Sequence, residues 1–290
     1  VQMIRMLLST VAAAALLGMP HVFAPGVVSG PADDGTPTFT PDGATLYFTR
    51  SGPSGSGTIL VSHRTASGWS EPKTASFSGT WNDQHPAISP DGNQMVFVST
   101  RPAPSQSVRA ARIWSMTRTP WGWSAPVPLP ETVNIGRAIF APSVAADGTI
   151  YFLSITKQGS GRRFQLYRSR VAHGRYERAQ RLSFSSPATA DVDPEIAPDQ
   201  SYLVFASSGR RAGDDHEHLY VVRRAGEGWG RVEPLRYVGD NAKGPSNDNE
   251  PRIARGGNAL YFSSDRLGAG DSNVWVAPFS AKRAARASSY

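Results

Sequence analysis

A strand–turn–strand pattern occurs five times in this chain, and it limits the possible folds more than any other feature. Each copy has a proline, an apolar residue two places later, a tight turn and a second apolar strand that ends in phenylalanine. The turns are centred at positions 42, 91, 147, 199 and 256, so the copies are spaced by 49, 56, 52 and 57 residues. A period near fifty residues with this strand content is typical of the blades of a β-propeller.

The chemistry of one copy explains its expected local structure. In Pro90-Asp91-Gly92, proline presets φ, the aspartate can bond the backbone ahead of it, and glycine tolerates a positive φ. Apolar and β-branched residues then favour a second strand. A third strand, a corner such as Gly122-Trp123 and a fourth, outer strand are expected to follow. One unit cannot bury both of its faces, so the units are expected to stack around an axis.

The spacing also limits the number of blades. No gap between copies exceeds 57 residues, and only a short tail follows the third strand of the last copy. We therefore predict an all-β fold, a single β-propeller of five four-stranded blades over residues 25–280, with six blades as the alternative. Residues 23–29 are similar to the stretches that precede the other copies, such as residues 75–79. They are predicted to form the outer strand of the last blade and so to close the ring.

The copies resemble the TolB-type repeat, a WD-like β-propeller repeat of bacterial periplasmic proteins. The matching residues are Asp83, Pro86, the turn at 90–92 and a strand that ends in Phe97-Val98-Ser99-Thr100-Arg101. The resemblance covers nearly all of the chain after the N-terminal segment. It implies a propeller fold and a periplasmic scaffold that binds a protein or peptide, but it is weak for function because such propellers have many unrelated roles.

The N-terminal segment has the features of an export signal. Arg5 precedes an apolar run at residues 6–18, which has signal-peptide length and is short for a membrane span. We predict a signal peptide over residues 1–24, a periplasmic or secreted protein, and no membrane span in the mature form. An uncleaved apolar anchor is the alternative. The chain has no cysteine, so it forms no disulfide.

The charge of the chain gives weaker information about partners. The formal net charge is +7, which would suit an anionic surface or an acidic glycan, but the simpler interpretation, that the charge keeps the protein soluble, is favoured. Lys282, Arg283 and Arg286 predict a basic disordered tail at residues 281–290. The other basic residues are scattered, so no nucleic-acid partner is expected. A monomer without a cofactor is expected.

A ring of aspartates is predicted where the inner strands begin. The residue three places before the first proline is aspartate in four copies and Ile139 in the third. A structural role is expected, in which each aspartate pairs with the arginine that ends the second strand. The aspartates are Asp34, Asp83, Asp191 and Asp248, and the arginines are Arg50, Arg101, Arg210 and Arg266.

The positions on either side of that proline differ from blade to blade, which favours a ligand site at the channel mouth. The predicted ligand-binding residues are His85, Asp193, Glu195, Glu250, Arg252 and, on the loop nearby, Trp81. Carboxylates from different blades could act as an acid/base pair on a glycosidic bond. With a single histidine and no repeated ligand spacing, no metal site is predicted. No catalytic residue is assigned.

Two functions remain open at this point. The preferred one is a non-enzymatic scaffold that binds a protein or peptide at the channel face. The alternative is a propeller that binds or cleaves carbohydrate with carboxylates at the channel mouth. The sequence has no Gly-x-Ser-x-Gly elbow, phosphate-binding Gly-Lys-Ser/Thr or His-Glu-x-x-His motif. Two carboxyl groups about 5–10 Å apart in an open pocket would favour hydrolysis, whereas carboxylates held in arginine pairs would favour a scaffold.

Overall fold

A computed structural model of the chain describes residues 19–103, 110–158, 161–235, 246–268 and 271–280. Residues 1–18 of the predicted signal peptide and the predicted basic tail, 281–290, lie outside the described residues. Regular structure in the described ranges consists of strands. In chain order they are β1 (His21–Val22), β2 (Asp33–Phe39), β3 (Thr45–Ser51), β4 (Gly57–Thr65), β5 (Gly68–Trp69), β6 (Lys73–Thr74), β7 (Asp83–Ile88), β8 (Gln94–Ser99), β9 (Arg112–Thr119), β10 (Gly122–Trp123), β11 (Val127–Pro128), β12 (Ala138–Val144), β13 (Ile150–Gln158), β14 (Gly161–Ser169), β15 (Val171–Ala172), β16 (Arg175–Tyr176), β17 (Gln180–Arg181), β18 (Ala190–Ile196), β19 (Tyr202–Ser208), β20 (His218–Ala225), β21 (Gly228–Pro234), β22 (Asp248–Ile253), β23 (Ala259–Ser264) and β24 (Asn273–Pro278).

Apart from the separate hairpin of β15 and β16, the strands form five antiparallel sheets arranged in a ring, one sheet for each copy of the repeat. The inner strands are β2, β7, β12, β18 and β22, and each is followed outward by its second and third strands. Outer strands are short: β5 and β6 pair with β4, β10 and β11 with β9, β17 with β14, and β21 with β20. The prediction of an all-β propeller with five blades is confirmed.

The repeated turns work as the sequence predicts. Asp91 Oδ1 accepts a hydrogen bond from the amide of Asn93 at 3.0 Å, and the aspartates of three other turns make the same bond. Gly92 has a φ of 78°, in the left-handed region. In the fourth blade Gln200 takes this position with a φ of 58°, which is uncommon for a residue with a side chain.

The core lies between neighbouring blades. The phenylalanine of every second strand is fully buried there: Phe48, Phe97, Phe152, Phe205 and Phe262 are each 0% exposed. Burying one such side chain stabilises the fold by about 1.5–3 kcal/mol, so the repeated phenylalanine is a main source of cohesion between blades.

The N-terminal segment closes the ring. Strand β1 is the outer strand of the fifth blade, and it pairs with β24. The amide of Phe23 then donates to the carbonyl of Val274 at 2.8 Å, and the Ser29 hydroxyl lies 3.1 Å from the same carbonyl. The Phe23 ring packs edge-on against Tyr261 of the fifth blade and Phe39 of the first, with ring centroids 5.1 and 6.0 Å apart. The segment therefore joins the last blade to the first.

The closing strand lies earlier in the chain than the predicted position at residues 23–29. The chain turns at Ala24, which has a φ of 42°, and the amide of Val28 bonds back to the Ala24 carbonyl at 3.0 Å. Pro25 has no amide hydrogen to donate to a strand. Pairing with β24 is thus made by residues 21–22 and the amide of Phe23, all of which the sequence assigned to the signal peptide. A cut after Ala24 would remove β1. No helix in the described ranges is long and apolar enough to cross a bilayer.

Candidate functional site

Each inner strand has a bulge at the residue before its first proline. That residue has a φ between 47° and 53° in every blade, and the pairing with the second strand shifts register there. The five residues are Thr36, His85, Ala141, Asp193 and Glu250. A left-handed non-glycine residue costs free energy, so the surrounding structure must enforce this bulge five times. We call these positions the upper level of the channel.

The aspartate ring is held in ion pairs at the start of the inner strands. The shortest nitrogen–oxygen distances are 2.7 Å for Arg50 and Asp34, 2.9 Å for Arg101 and Asp83, and 2.8 Å for Arg210 and Asp191. The fourth pair, Arg266 and Asp248, is at 2.5 Å. Each of these guanidinium groups also lies 4.9–5.5 Å from the centroid of the buried phenylalanine of its own second strand. In four blades, the ion pair thus joins the start of the inner strand to the end of the second strand. The third blade has Ile139 in place of the aspartate.

Glu250 is the centre of the upper level. Its Oε1 lies 3.2 Å from Nε2 of His85, and its Oε2 accepts from the amide of Thr36 at 3.1 Å and from the Ser263 hydroxyl at 2.7 Å. A Cβ on Gly35 would lie 2.0 Å from Glu250 Oε2, so this carboxylate requires a glycine in the first blade. Burial would raise the pKa of Glu250, but the hydrogen bond and charge of His85 hold it below the ordinary value.

Asp193 has the opposite electrostatic environment. Its Oδ2 accepts from the amide of Glu250 at 3.2 Å, and the residue is 8% exposed. Burial, reinforced by the neighbouring charges of Glu250 and Glu217, raises the pKa of Asp193 to about 7. The pKa of Glu217 is also raised, chiefly by burial, while its Oε2 accepts from the side chain of Asn249 at 2.8 Å.

Glu195 and Arg252 form a second group beyond the prolines, which we call the lower level. Nη1 of Arg252 lies 3.4 Å from Glu195 Oε2, and the same oxygen accepts from the Ser143 hydroxyl at 2.9 Å. Glu195 Oε1 accepts from the amide of Ile253 at 3.1 Å. Burial raises the pKa of Glu195, and the charge of Arg252 opposes that rise.

These contacts share one rule, which sequence reasoning missed. A side chain on one inner strand accepts from the inward-facing amide of the next blade. At the lower level Thr38 accepts from Ile88, Ser143 from Ile196 and Glu195 from Ile253, at 3.1 Å in each case. At the upper level Asp193 accepts from Glu250, and Glu250 accepts from Thr36. The sequence signal that could have revealed these hydrogen bonds is the presence of hydroxyl or carboxyl side chains at these inner-strand positions.

A pocket of about 460 Å³ lies where the inner strands end, and all five blades line it. Its wall is mainly apolar, with Phe39, Ile88, Ile196 and Ile253 among the lining residues. Exposed residues such as Pro198, Asp199 and Arg255 form its rim. Tyr202 also lines it, and burial, followed by the charges of Glu195 and Asp199, raises the pKa of this tyrosine to about 12.

The structure divides the predicted ligand-binding set between two places. Glu195 and Arg252 line the pocket, whereas His85, Asp193 and Glu250 do not. Trp81 is half-buried in the loop before β7 and does not line the pocket either. The predicted mouth was the end where the inner strands begin, and the pocket lies at the opposite end. At the upper level, Asp193 and Glu250 instead accept backbone amides of the neighbouring blades, and His85 contacts Glu250.

Comparison with known proteins places the fold. The sequence matches no family model and no curated protein. A thermostable family-43 glycoside hydrolase superposes with a TM-score of 0.60 at 11% identity, over 89% of this chain and 91% of that one. A TolB-type protein from Agrobacterium tumefaciens gives 0.54 at 18% identity, over 87% and 92%. The Bacillus subtilis arabinanase Arb43A gives 0.52 at 11%, over 88% and 97%. The chain has the propeller fold that TolB-like proteins share with these hydrolases. At such identities the likeness concerns the fold alone.

The chemistry available at the two levels differs. The upper level has two carboxylates whose pKa values move in opposite directions, as in a general acid/base pair. Each of them accepts a backbone amide of another blade and lies outside the pocket. The lower level has a guanidinium and a carboxylate at the floor of an apolar pocket. No cluster of three metal-ligating side chains suitable for a metal ion occurs in the described part of the chain.

Proposed function

We propose that this protein is an exported, non-enzymatic propeller that binds a peptide segment of a partner protein in the pocket at the end of the inner strands. The observation that carries the proposal is the use of the axial carboxylates. Asp193, Glu195 and Glu250 each accept a backbone amide from a neighbouring blade, so they join the ring together. Carboxylates committed in this way are poorly placed to attack or protonate a substrate.

The pocket itself suits a peptide. Its volume of about 460 Å³ falls in the usual range of about 300–1,000 Å³ for ligand sites. The wall includes four prolines, three isoleucines, Phe39 and Tyr202, so burial of an apolar side chain there would remove apolar area of both partners from water. Two charged side chains, Glu195 and Arg252, lie at the floor and would orient what enters, while Asp199 and Arg255 lie on the rim.

A carbohydrate-acting propeller is the second candidate, and one observation favours it. Asp193 and Glu250 come from adjacent blades and have pKa values displaced in opposite directions. The fold is also shared with family-43 glycoside hydrolases. In this case Asp193→Asn would abolish hydrolysis of an aryl glycoside while the protein stayed folded. Under the binding proposal, neither the wild type nor this variant hydrolyses a panel of aryl glycosides.

Site-specific photo-crosslinking in cells that export the protein tests the binding proposal. A photoreactive residue replaces Arg255 on the pocket rim, and a matched variant carries it at Trp121, which is 96% exposed on the outer edge of the second blade. We expect a partner to crosslink from position 255 and not from position 121. Equal labelling from both positions, or labelling from 121 alone, would contradict the proposal.

A further inference from the structure

At two blade boundaries, the lower level lacks the hydrogen bond from a backbone amide to a side chain of the preceding blade. In each blade the register leaves one amide facing the channel, and three of the five are satisfied by the preceding blade. The other two belong to Phe39 and Val144. In the blade before Phe39, the residue at the acceptor position is Arg252, whose side chain has only donors. In the blade before Val144, it is Ala87, which has no polar side chain. Within the described ranges, neither amide meets an acceptor.

Register shows that these amides point toward the axis. The amide of Thr40 donates to the carbonyl of Thr45, so residues 40 and 45 form a hydrogen-bonded pair. Bonded and non-bonded pairs alternate in an antiparallel ladder, so Phe39 and its partner Leu46 form a non-bonded pair. The amide of Phe39 therefore faces away from β3, on the channel side of the first blade.

Arg252 has donors to spare at the same boundary. The residue is 4% exposed, and its Nε and Nη2 have no hydrogen-bond partner among the described residues. Nη1 bonds to the Pro251 carbonyl at 3.0 Å and makes the longer contact of 3.4 Å with Glu195. Glu195, by contrast, is well supplied by the Ser143 hydroxyl and the Ile253 amide. An unpaired edge of a buried guanidinium is costly, so a missing acceptor is indicated.

We propose that the occupant of the pocket brings a carboxylate to Arg252, carried next to an apolar group that packs on the isoleucine wall. This inference rests on the proposed function and names the chemistry that the pocket selects. A carboxylate has two oxygens that match the Nε and Nη2 edge of a guanidinium, and one of them is available to the Phe39 amide. Because Nε and Nη2 are buried, binding would require the guanidinium to rotate toward the pocket, and the contact with Glu195 that it would leave is a long one.

Three capped dipeptides serve as probes and separate the two sources of a carboxylate. Acetyl-Phe-Gln-amide has none, acetyl-Phe-Gln has one at its C-terminus, and acetyl-Phe-Glu-amide has one on its side chain. The readout is the methyl NMR spectrum of isoleucine-labelled protein. Ile88, Ile196 and Ile253 line the pocket, whereas Ile59 and Ile113 are buried between blades and serve as references.

We expect at least one carboxylate probe to shift the three pocket isoleucines with a dissociation constant at least about tenfold lower than that of the fully amidated probe. The double variant Arg252→Met with Glu195→Gln should abolish this preference. Both partners are changed together because an unpaired Glu195 would destabilise the protein. The matched control is Arg50→Met with Asp34→Asn, which removes an ion pair at the opposite end of the channel and should leave the preference unchanged.

The outcomes separate the inference from the proposed function. Equal affinity for all three probes at the pocket isoleucines would overturn the carboxylate inference and leave peptide binding intact. A preference that survives in the Arg252 double variant would also overturn it. If no probe shifts the pocket isoleucines, the inference fails, and crosslinking from position 255 still decides the proposed function. The wild-type comparison between probes needs no variant, so a misfolded variant does not prevent the test.

Discussion

The stability of the Asp193→Asn variant relative to the wild type should increase as the pH rises. The pKa of this buried carboxyl is raised from the ordinary value of 3.8 to about 7. Between those two values the folded protein keeps the proton while the unfolded chain has lost it. Folding stability therefore falls as the pH rises through this window, and the full cost is present above about pH 7. Asparagine carries no such charge, and its Oδ1 can still accept from the amide of Glu250.

The magnitude follows from the same two pKa values. One pH unit corresponds to about 1.4 kcal/mol, so the difference between 3.8 and about 7 sets an upper value of about 4 kcal/mol. Relaxation of the neighbours reduces this, and we expect Asp193→Asn to gain about 2–4 kcal/mol relative to wild type between pH 4 and pH 8. Glu250, Glu217 and His85 are present in both proteins, so the comparison largely isolates Asp193.

Urea unfolding at pH 4, 5, 6, 7 and 8 measures the difference directly. Asp199→Asn is the matched control, because this exposed turn carboxylate has a lowered pKa and accepts from Ser201. The control difference should be flat above pH 5. A flat difference for Asp193→Asn as well, or an Asn variant that is less stable than wild type at pH 8, would refute the electrostatic account of the upper level.

Other predictions concern the ring and its export. Deleting the chain up to Gly30 should lower the melting temperature more than deleting loop residues 53–55, because it exposes the edge of β24; equal effects would contradict closure by the N-terminus. Phe205→Ala, at a fully buried site, should cost about 3–5 kcal/mol in unfolding free energy, and a cost under about 1 kcal/mol would show that the blades cohere otherwise. Mass spectrometry of the native protein should find that cleavage occurs before His21, because β1 belongs to the fifth blade and should be kept. An intact N-terminus on a cytoplasmic protein would reject export.

The sequence predicted the features that depend on local chemistry. Each blade could be recognised because the turn around Asp91 and Gly92 and the buried Phe97 recur at similar intervals. The ion pair between Asp83 and Arg101 followed from the same repetition, since Asp83 begins the inner strand and Arg101 comes two residues after Ser99, which ends the second strand and pairs with Asp83. Periodic local signals of this kind are strong in a repeat protein, where each unit contacts mainly its neighbours.

The sequence did not predict which end of the channel holds the pocket. Side-chain direction there depends on the left-handed residue before each proline, and one of these positions is an ordinary histidine, His85. The acceptor role of Glu195 depends on an amide in the next blade, 58 residues away along the chain. The outer strand of the last blade was predicted at residues 23–29 but lies at residues 21–22, because the chain turns at Ala24 and leaves β24 there.

Amide hydrogen exchange of the protein with its crosslinked partner, compared with the protein alone, tests most directly where binding occurs. The account predicts new protection at residues 195–199 and 252–257, which line the pocket, and no change at the loops before the inner strands, residues 30–32 and 79–82. Protection confined to those loops would place the partner at the opposite end of the channel and contradict the account.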